Sequence, residues 1–255
     1  AYIFNDDKPL ADPQHFMHDV THVLISTPPD DTGDPVFNLH ADAILEMPSL
    51  KWVGYLSSTS VYGDRHGDWV DETAVPQPRS QRGSRRLIAE EQWLSLYRYD
   101  GLPVHIFRLA GIYGPGRSVL DSVRAGIGRR IDKPGHVFNR IHVEDIARIV
   151  AASCANPKPG AVYNIGDDQP SASHEVIAYA CELLGRDVPP LVPFDEAHLP
   201  PMARSFYLDN KRLRNNRVKE ELGLNLLYPD YKSGLKACLK AEQEAASPEA
   251  SRNIG

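Results

Sequence analysis

Short apolar runs alternate with longer amphipathic segments along most of this 255-residue chain. The runs predict strands at 1–4, 22–27, 52–57, 104–109 and 161–165. The segments between and after them predict helices at 35–47, 82–100, 143–155, 171–184 and 229–245. Because the strands lack polar alternation, we expect both of their faces to be buried. This order of elements is typical of βα units, and it predicts an α/β fold with a parallel sheet.

Composition excludes several kinds of partner. Apolar residues make up 42% of the chain and the net charge is −6, so no overall basic field favours nucleic acid. No apolar run approaches the roughly 18 residues that span a membrane. The three cysteines lie far apart, with neither disulfide nor metal-ligand spacing, which favours a reducing, cytoplasmic location and no bound metal.

Hydroxyl side chains cluster where the predicted strand 52–57 ends. Ser57, Ser58, Thr59 and Ser60 follow an apolar run, and a Val-Tyr-Gly unit containing Tyr62 comes next. Open α/β sheets bind ligands at the carboxyl ends of their strands, so these hydroxyls are candidates for a site. Alternatively, they only satisfy backbone groups at the end of a strand.

Two arginines share one face of the helix predicted at 82–100. Arg82 and Arg86 are four residues apart, and Arg86 is four residues before Glu90. A guanidinium binds phosphate, carboxylate or ribose hydroxyls, but it is no general acid near neutral pH. The alternative is a solvated basic stripe, in which an Arg86–Glu90 pair contributes about 0.3–0.5 kcal/mol.

Three further segments have a recognisable pattern. The turn 108–117 contains Gly111 and Gly114, which permit backbone conformations closed to other residues. In the segment 140–147 we interpret His142 and Asp145 as structural, with Asp145 capping the helix that follows. No glycine-rich dinucleotide-binding turn, Gly-x-Gly-x-x-Gly or Gly-x-x-Gly-x-x-Gly, occurs in the sequence.

The order and spacing of these strings resemble the extended short-chain dehydrogenases/reductases, the class of the NAD-dependent epimerases and dehydratases. The resemblance implies a Rossmann-type doubly wound parallel sheet with a smaller C-terminal substrate lobe. It assigns 1–110 and 140–167 to the dinucleotide-binding domain and 111–139 and 168–245 to the lobe. Small and polar residues at the end of the chain predict a mobile tail at 246–255. Compared with that class, the glycine-rich N-terminal βαβ portion is absent from this chain. Either the chain is a fragment of a longer product, or its lineage has lost the turn that holds the pyrophosphate.

The same resemblance implies roles for individual residues. Ser58 would polarise a substrate carbonyl, Ser60 would face the substrate, and Tyr62 would either pack beneath the loop or act as a substitute acid. The expected contacts to NAD or NADP are Thr27, Pro28, Ser57, Arg86, Ala110, Gly111 and Ile112, and those to substrate are Arg82, Arg117 and Arg204. Lys211 could also meet an anionic group. The family's Tyr and Lys positions are occupied here by Arg82 and Arg86.

Three functions remain open at this point. The first is NAD(P)-dependent reduction, epimerisation or dehydration of a small polar or sugar-linked substrate. The second is an NAD(P)-binding sensor or scaffold that is catalytically weak. The third is a fragment without a nucleotide site. The resemblance also implies a homodimer formed through the helix that begins at Arg82.

Overall fold

The computed structural model describes residues 9–246. In chain order the helices are α1 (Pro13–Met17), α2 (Pro35–Leu45), α3 (Gln81–Asp100), α4 (Val119–Arg124), α5 (Val143–Ala155), α6 (Ser173–Leu183), α7 (Pro201–Ser205), α8 (Asn216–Leu222) and α9 (Tyr231–Ala245). The strands are β1 (His22–Ile25), β2 (Trp52–Ser58), β3 (Trp69–Val70), β4 (Val104–Leu109), β5 (Gly111–Tyr113), β6 (Arg130–Asp132), β7 (Arg140–His142), β8 (Val162–Ile165), β9 (Leu191–Pro193) and β10 (Arg212–Leu213).

A parallel sheet with the strand order β1-β2-β4-β8 forms the centre of the fold. Ile25 pairs with Tyr55, Ser58 with Leu109, and Leu109 in turn with Ile165. Because the strands are parallel, their carboxyl ends meet at one edge of the sheet. The hydroxyl cluster after β2 and the glycine turn after β4 therefore lie side by side.

Helices cover both faces of this sheet. Alternate residues of β2 and β4, such as Tyr55 and Ile106, pack with Trp93 of α3 and Ile44 of α2 in one apolar core. Residues of the opposite parity, including Trp52 and Phe107, pack with α5 and α8 in a second core. Burial on both faces explains the apolar runs without polar alternation.

Four of the predicted strands and all five predicted helices are present, with small differences at their ends. The run 22–27 ends earlier, at Ile25, ahead of Pro28 and Pro29, which cannot donate ladder hydrogen bonds. Helix α3 begins after Ser80, whose hydroxyl accepts from the Gly83 amide, and it ends at Gly101 in the left-handed conformation with φ 75°. The strand predicted at 1–4 and nearly all of the tail lie outside the described residues.

The remaining strands form a smaller set of two-stranded pairs outside the central sheet. β5 pairs with β7, β6 with β9, and β10 with β3. Helices α4, α6 and α9 enclose a third apolar core around Leu120 and Leu235. α8, however, packs against β8 and α5, so part of the C-terminal segment returns to the central sheet. Among residues 9–246, no helix is both long and apolar enough to cross a membrane.

Candidate active site at the carboxyl edge of the sheet

A cavity of about 560 Å³ lies between the carboxyl edge of the sheet and the C-terminal elements. Its wall combines residues from the ends of β2 and β4 with the start of α3, the segment 137–139 and the segment around α7. The predicted site residues that line it are Ser58, Ser60, Arg82, Ala110 and Gly111. Five residues predicted from three separate parts of the sequence thus meet in one cavity.

The loop after β2 is a single tight 3₁₀ turn, Thr59–Tyr62. The Ser58 hydroxyl oxygen accepts a hydrogen bond from the Ser60 amide at 3.2 Å and so caps this turn. The Ser60 hydroxyl is buried and has no partner within the part of the chain that the structure describes. Gly63 ends the turn with φ 66°, and a Cβ there would meet the Gln77 carbonyl oxygen at 2.0 Å. The turn therefore satisfies backbone groups, and two of its hydroxyl residues, Ser58 and Ser60, line the cavity.

Helix α3 approaches this turn closely at a glycine. A Cβ at Gly83 would lie 2.7 Å from the Ser60 carbonyl oxygen, so only glycine permits the contact. The neighbouring Arg82 is exposed, lines the cavity, and has no hydrogen bond or ion pair within residues 9–246. Its guanidinium is therefore free to meet an anionic group.

Arg86 is held differently from Arg82. It donates to the Leu56 carbonyl oxygen at 2.7 Å and to the Tyr55 hydroxyl at 3.2 Å, and its guanidinium lies over the Tyr55 ring. It does not line the cavity. These contacts hold Arg86 against the carboxyl end of β2, and its contact with a cofactor stays a prediction.

The alternative interpretation, in which Arg86 pairs with Glu90 on a solvated stripe, is wrong. Glu90 is buried and accepts from Arg108 at 2.7 and 3.1 Å and from the Ser57 hydroxyl at 2.5 Å. A carboxylate removed from water needs such charged and hydrogen-bonded partners. The Ser57 hydroxyl consequently points to α3 rather than into the cavity, which speaks against its predicted cofactor contact.

Tyr62 belongs to the same buried network. Its hydroxyl donates to the Asn164 side-chain oxygen at 2.7 Å and accepts from Arg108 at 2.9 Å, and the side chain is completely buried. Burial raises the pKa of this phenol above its ordinary value. The structure therefore contradicts the predicted role of Tyr62 as a substitute acid and agrees with its packing beneath the loop.

The glycine turn after β4 forms part of the cavity wall. The Ala110 amide donates to Ile165 at 2.9 Å, and a Cβ at Gly111 would meet the Asn139 carbonyl oxygen at 3.2 Å. Ile112 and Arg117 instead line a second, shallow depression beside α4. The structure thus separates these two predicted contacts from the main cavity.

The remaining predicted contacts also lie outside the cavity lining. Thr27 and Pro28 follow β1 at the same carboxyl edge but do not line the cavity. Arg204 is exposed on α7, and its guanidinium stacks over Phe194 at 4.6 Å from the ring centroid. α7 contributes Pro201, Met202 and Ser205 instead.

His142 and Asp145 have structural roles, as expected, but Asp145 is not the residue that caps α5. The residue that caps α5 is His142, whose Nδ1 accepts from the Glu144 amide at 3.2 Å. Asp145 accepts from the Leu227 and Tyr228 amides at 2.8 and 3.0 Å and so anchors the segment before α9. Residues 9–246 contain no cluster of three or more His, Cys, Asp and Glu side chains that could hold a metal ion.

Two charged residues of the cavity were not among the predicted site residues. Arg79 and Asp209 line it together with Lys211, which is only 7% exposed. The Lys211 ammonium donates to the Gly63 carbonyl oxygen at 2.9 Å and lies 3.8 Å from Asp209. Arg79 and Asp209 lie in segments without a family string, so no local pattern marks them.

A neutral histidine lies beside these charges. His136 is 4% exposed and packs between the rings of Phe138 and Tyr207. Burial first, and then the nearby Lys133, lower its pKa to about 4. Because protonation is unfavourable in the folded state, His136 stabilises the fold above its unfolded pKa near 6.5 and loses that contribution as the pH falls towards 4.

We therefore expect the free energy of unfolding to decrease as the pH is lowered, and we expect this decrease to be smaller in His136→Phe. Below pH 6.5 the unfolded chain binds a proton at this histidine and the folded chain does not. As the pH falls to 4, the free energy of unfolding should therefore decrease by about 3 kcal/mol, at about 1.4 kcal/mol per pH unit. Urea unfolding at each pH measures this slope. The exposed His18→Gln is the matched control, and an equal slope in wild type and His136→Phe would contradict the assignment.

The sheet, its covering helices and the edge cavity define a Rossmann-type α/β protein with a cavity at the carboxyl ends of its strands, the edge where such sheets bind ligands. The model of the NAD dependent epimerase/dehydratase family matches residues 41–166. Protein YeeZ of Escherichia coli (strain K12) is 33% identical over 217 residues, which cover 81% of this chain and 72% of that relative. The chain belongs to this family, within the extended short-chain dehydrogenase/reductase class.

Solved structures agree with this membership. A functionally unknown conserved protein from Silicibacter pomeroyi is 56% identical, with a TM-score of 0.83 over 87% of this chain and 78% of that one. MoeE5, solved in complex with UDP-glucuronic acid and NAD, is 20% identical, with a TM-score of 0.76 over 95% of this chain and 85% of that one. At that identity the likeness to MoeE5 concerns the fold.

Proposed function

We propose that this protein binds NAD or NADP at the carboxyl edge of its sheet and catalyses reduction, epimerisation or dehydration of a small polar or sugar-linked substrate. The observation that carries the proposal is the meeting of Ser58, Arg82 and the Ala110–Gly111 backbone in one cavity. The choice of cofactor is supported by structures of similar fold that were solved with NAD, such as MoeE5.

The residues present fit the nicotinamide end of such a cofactor. Gly111 brings backbone without a side chain to the cavity lining, where a planar ring would meet no Cβ. Arg86, held at the end of β2 beside the cavity, would meet a ribose hydroxyl. Bound there, the cofactor supplies or takes up a hydride. The printed sequence has no glycine-rich turn, so we assign no residue to the pyrophosphate.

Within this site Ser58 would orient and polarise the substrate carbonyl. Its hydroxyl oxygen already accepts from the Ser60 amide, so its own proton is free to be donated to a carbonyl oxygen. The free guanidinium of Arg82 would hold an anionic part of the substrate at the rim. A homodimer through α3 stays a prediction, which the exposed Ile88 and Tyr99 on that helix favour.

Thermal unfolding with millimolar NADH, NADPH, NAD⁺ or NADP⁺ tests cofactor binding. A ligand at 100 times its dissociation constant stabilises the fold by about 2.7 kcal/mol, which for a chain of this size raises Tm by roughly 5–11 °C. We expect one redox pair to raise Tm selectively. ADP-ribose is the control for binding through the adenosine half alone. Absence of a shift with all four cofactors would contradict the proposal.

A second candidate function is binding of NAD(P) without turnover, as a sensor or scaffold. It is favoured by Arg82 and Arg86 at the positions where the family places its proton donor and lysine, together with the burial of Tyr62. Cofactor-dependent reduction of a general dicarbonyl probe, 9,10-phenanthrenequinone, separates the two. Turnover supports the enzyme, whereas a Tm shift without turnover of this probe favours the binding protein.

A further inference from the structure

The cavity lacks the tyrosine that the family uses as proton donor, but it contains other ionisable groups. Arg79, Arg82, Asp209 and Lys211 line it. Arginine stays protonated at any pH that proteins tolerate, so neither guanidinium can donate a proton. A carboxylate beside an ammonium accepts rather than donates at neutral pH. Of these side chains, Lys211 alone has the chemistry of a donor.

The surroundings of Lys211 leave its ammonium able to donate to a ligand. Its side chain is almost fully buried, yet the residue borders the cavity that Ser58 also lines. Within residues 9–246, the one hydrogen bond of its ammonium is to the Gly63 carbonyl oxygen, at 2.9 Å. An ammonium has three N–H donors, so two remain for a ligand.

A short series of hydrogen bonds joins Lys211 to Ser58. The Ser58 hydroxyl oxygen accepts from the Ser60 amide, and the Ser60 carbonyl oxygen accepts from the Gly63 amide at 3.2 Å. The Gly63 carbonyl oxygen then accepts from Lys211. The turn 59–62 thus fixes the lysine relative to the hydroxyl that would polarise the carbonyl.

The charges around Lys211 act in opposite directions. Burial has the largest effect and lowers its pKa, the carboxylates of Asp209 and Asp64 raise it, and Arg65 lowers it. His136, on the neighbouring segment, is neutral near pH 7 for the reason given above. The net effect is a pKa below the ordinary lysine value, as general-acid lysines require.

We propose that Lys211 is the proton donor of this site and takes over the task of the family's tyrosine. The inference rests on the proposed function. In reduction, the substrate's carbonyl carbon accepts the hydride while its oxygen accepts a proton from the Lys211 ammonium, which gives the alcohol and a neutral amine. Water at the exposed rim returns the proton to the amine. In the oxidative direction the neutral amine takes the hydroxyl proton.

The first test needs no substrate. In full-length protein labelled with ¹³C-lysine, the Cε resonances are followed against pH, and the Lys211 signal is identified by its loss in Lys211→Arg. We expect it to titrate at lower pH than the exposed lysines, and Asp209→Asn to lower its midpoint further. Titration together with the exposed lysines would overturn the proposal.

The second test separates proton transfer from charge. Lys211→Met and Lys211→Arg should each lower dicarbonyl reduction by roughly 10²–10⁴-fold, because neither side chain releases a proton near pH 7. The cofactor-induced shift in Tm should persist in both variants. Wild-type rates in Lys211→Arg would show that the lysine supplies only charge and would overturn the proposal.

The two proposals fail in different ways. If wild-type protein gives no Tm shift with any cofactor, the proposed function is wrong, whatever Lys211 does. If cofactor binding and reduction are present but Lys211→Arg is fully active, the inference about Lys211 alone is wrong. When the wild type does not reduce the probe, the ¹³C titration decides whether Lys211 has the expected acidity.

Discussion

Replacing Ser58 with alanine is expected to lower dicarbonyl reduction by about 10²–10³-fold while leaving the cofactor-induced rise in Tm unchanged. Loss of one preorganised hydrogen-bond donor to a developing oxyanion has an effect of this size. The hydroxyl lies at the cavity wall, and its oxygen is already used by the Ser60 amide, so its remaining capacity is donation. Steady-state kinetics of both proteins measure the loss.

The controls for this substitution follow from the role of Ser58 as a cap. Losing the cap should cost about 1 kcal/mol of stability, so Tm is measured for each variant. Ser58→Thr keeps the hydroxyl and should restore a large part of the rate. Full activity in Ser58→Ala would remove Ser58 from the mechanism. Equal cofactor binding with little probe reduction in both wild type and variant would favour the binding protein.

The largest loss of stability is expected from Glu90→Ala. This substitution leaves the buried Arg108 guanidinium, which is 5% exposed, without its carboxylate. Removing one partner of a buried ion pair typically costs about 3–5 kcal/mol. For a chain of this length the corresponding fall in Tm is roughly 6–20 °C, which calorimetry measures directly.

The adjacent residue provides a matched control. Glu91 is exposed and pairs with Arg98 at 2.9 Å, so Glu91→Ala should change stability by less than about 1 kcal/mol. If Glu90→Ala does not fold, Tyr62→Phe tests the same network more gently. It leaves the Asn164 side-chain oxygen without its donor, at a cost of about 1–3 kcal/mol. Similar effects at Glu90 and Glu91 would contradict the buried network.

Tyr62→Phe also bears on mechanism. Because its hydroxyl is enclosed by Arg108 and Asn164, we expect this variant to lose stability but keep its rate of dicarbonyl reduction at temperatures where it is folded. Tyr62 and Lys211 differ in their access to the cavity. Both side chains are buried, but only Lys211 borders the cavity.

The sequence predicted the candidate site best where position in the fold follows from local pattern. Ser58, Ala110 and Gly111 stand directly after apolar strands, and parallel pairing brings such ends to one edge whatever the details of packing. The position of Arg82 followed from the predicted start of a single helix. The predicted contacts that missed the cavity, such as Ile112 and Arg204, depend on how short turns and a five-residue helix orient their side chains.

Long-range packing decided the rest. Glu90 pairs with Arg108, 18 positions away, rather than with Arg86, and Tyr62 meets Asn164, 102 positions away. Lys211 reaches Gly63 across 148 positions. Helical periodicity describes neighbours within about four residues, so it cannot indicate which of several carboxylates or cations is buried and paired.

By itself, the sequence determined the α/β class, the parallel order of its strands and helices, and the edge at which a ligand would bind, because burial pattern and strand direction are local properties of the chain. The tertiary structure alone decided which side chains face that cavity and which are enclosed beneath it. The reason is that a side chain's partners, and with them its charge state and its chemistry, come from segments that the fold brings together.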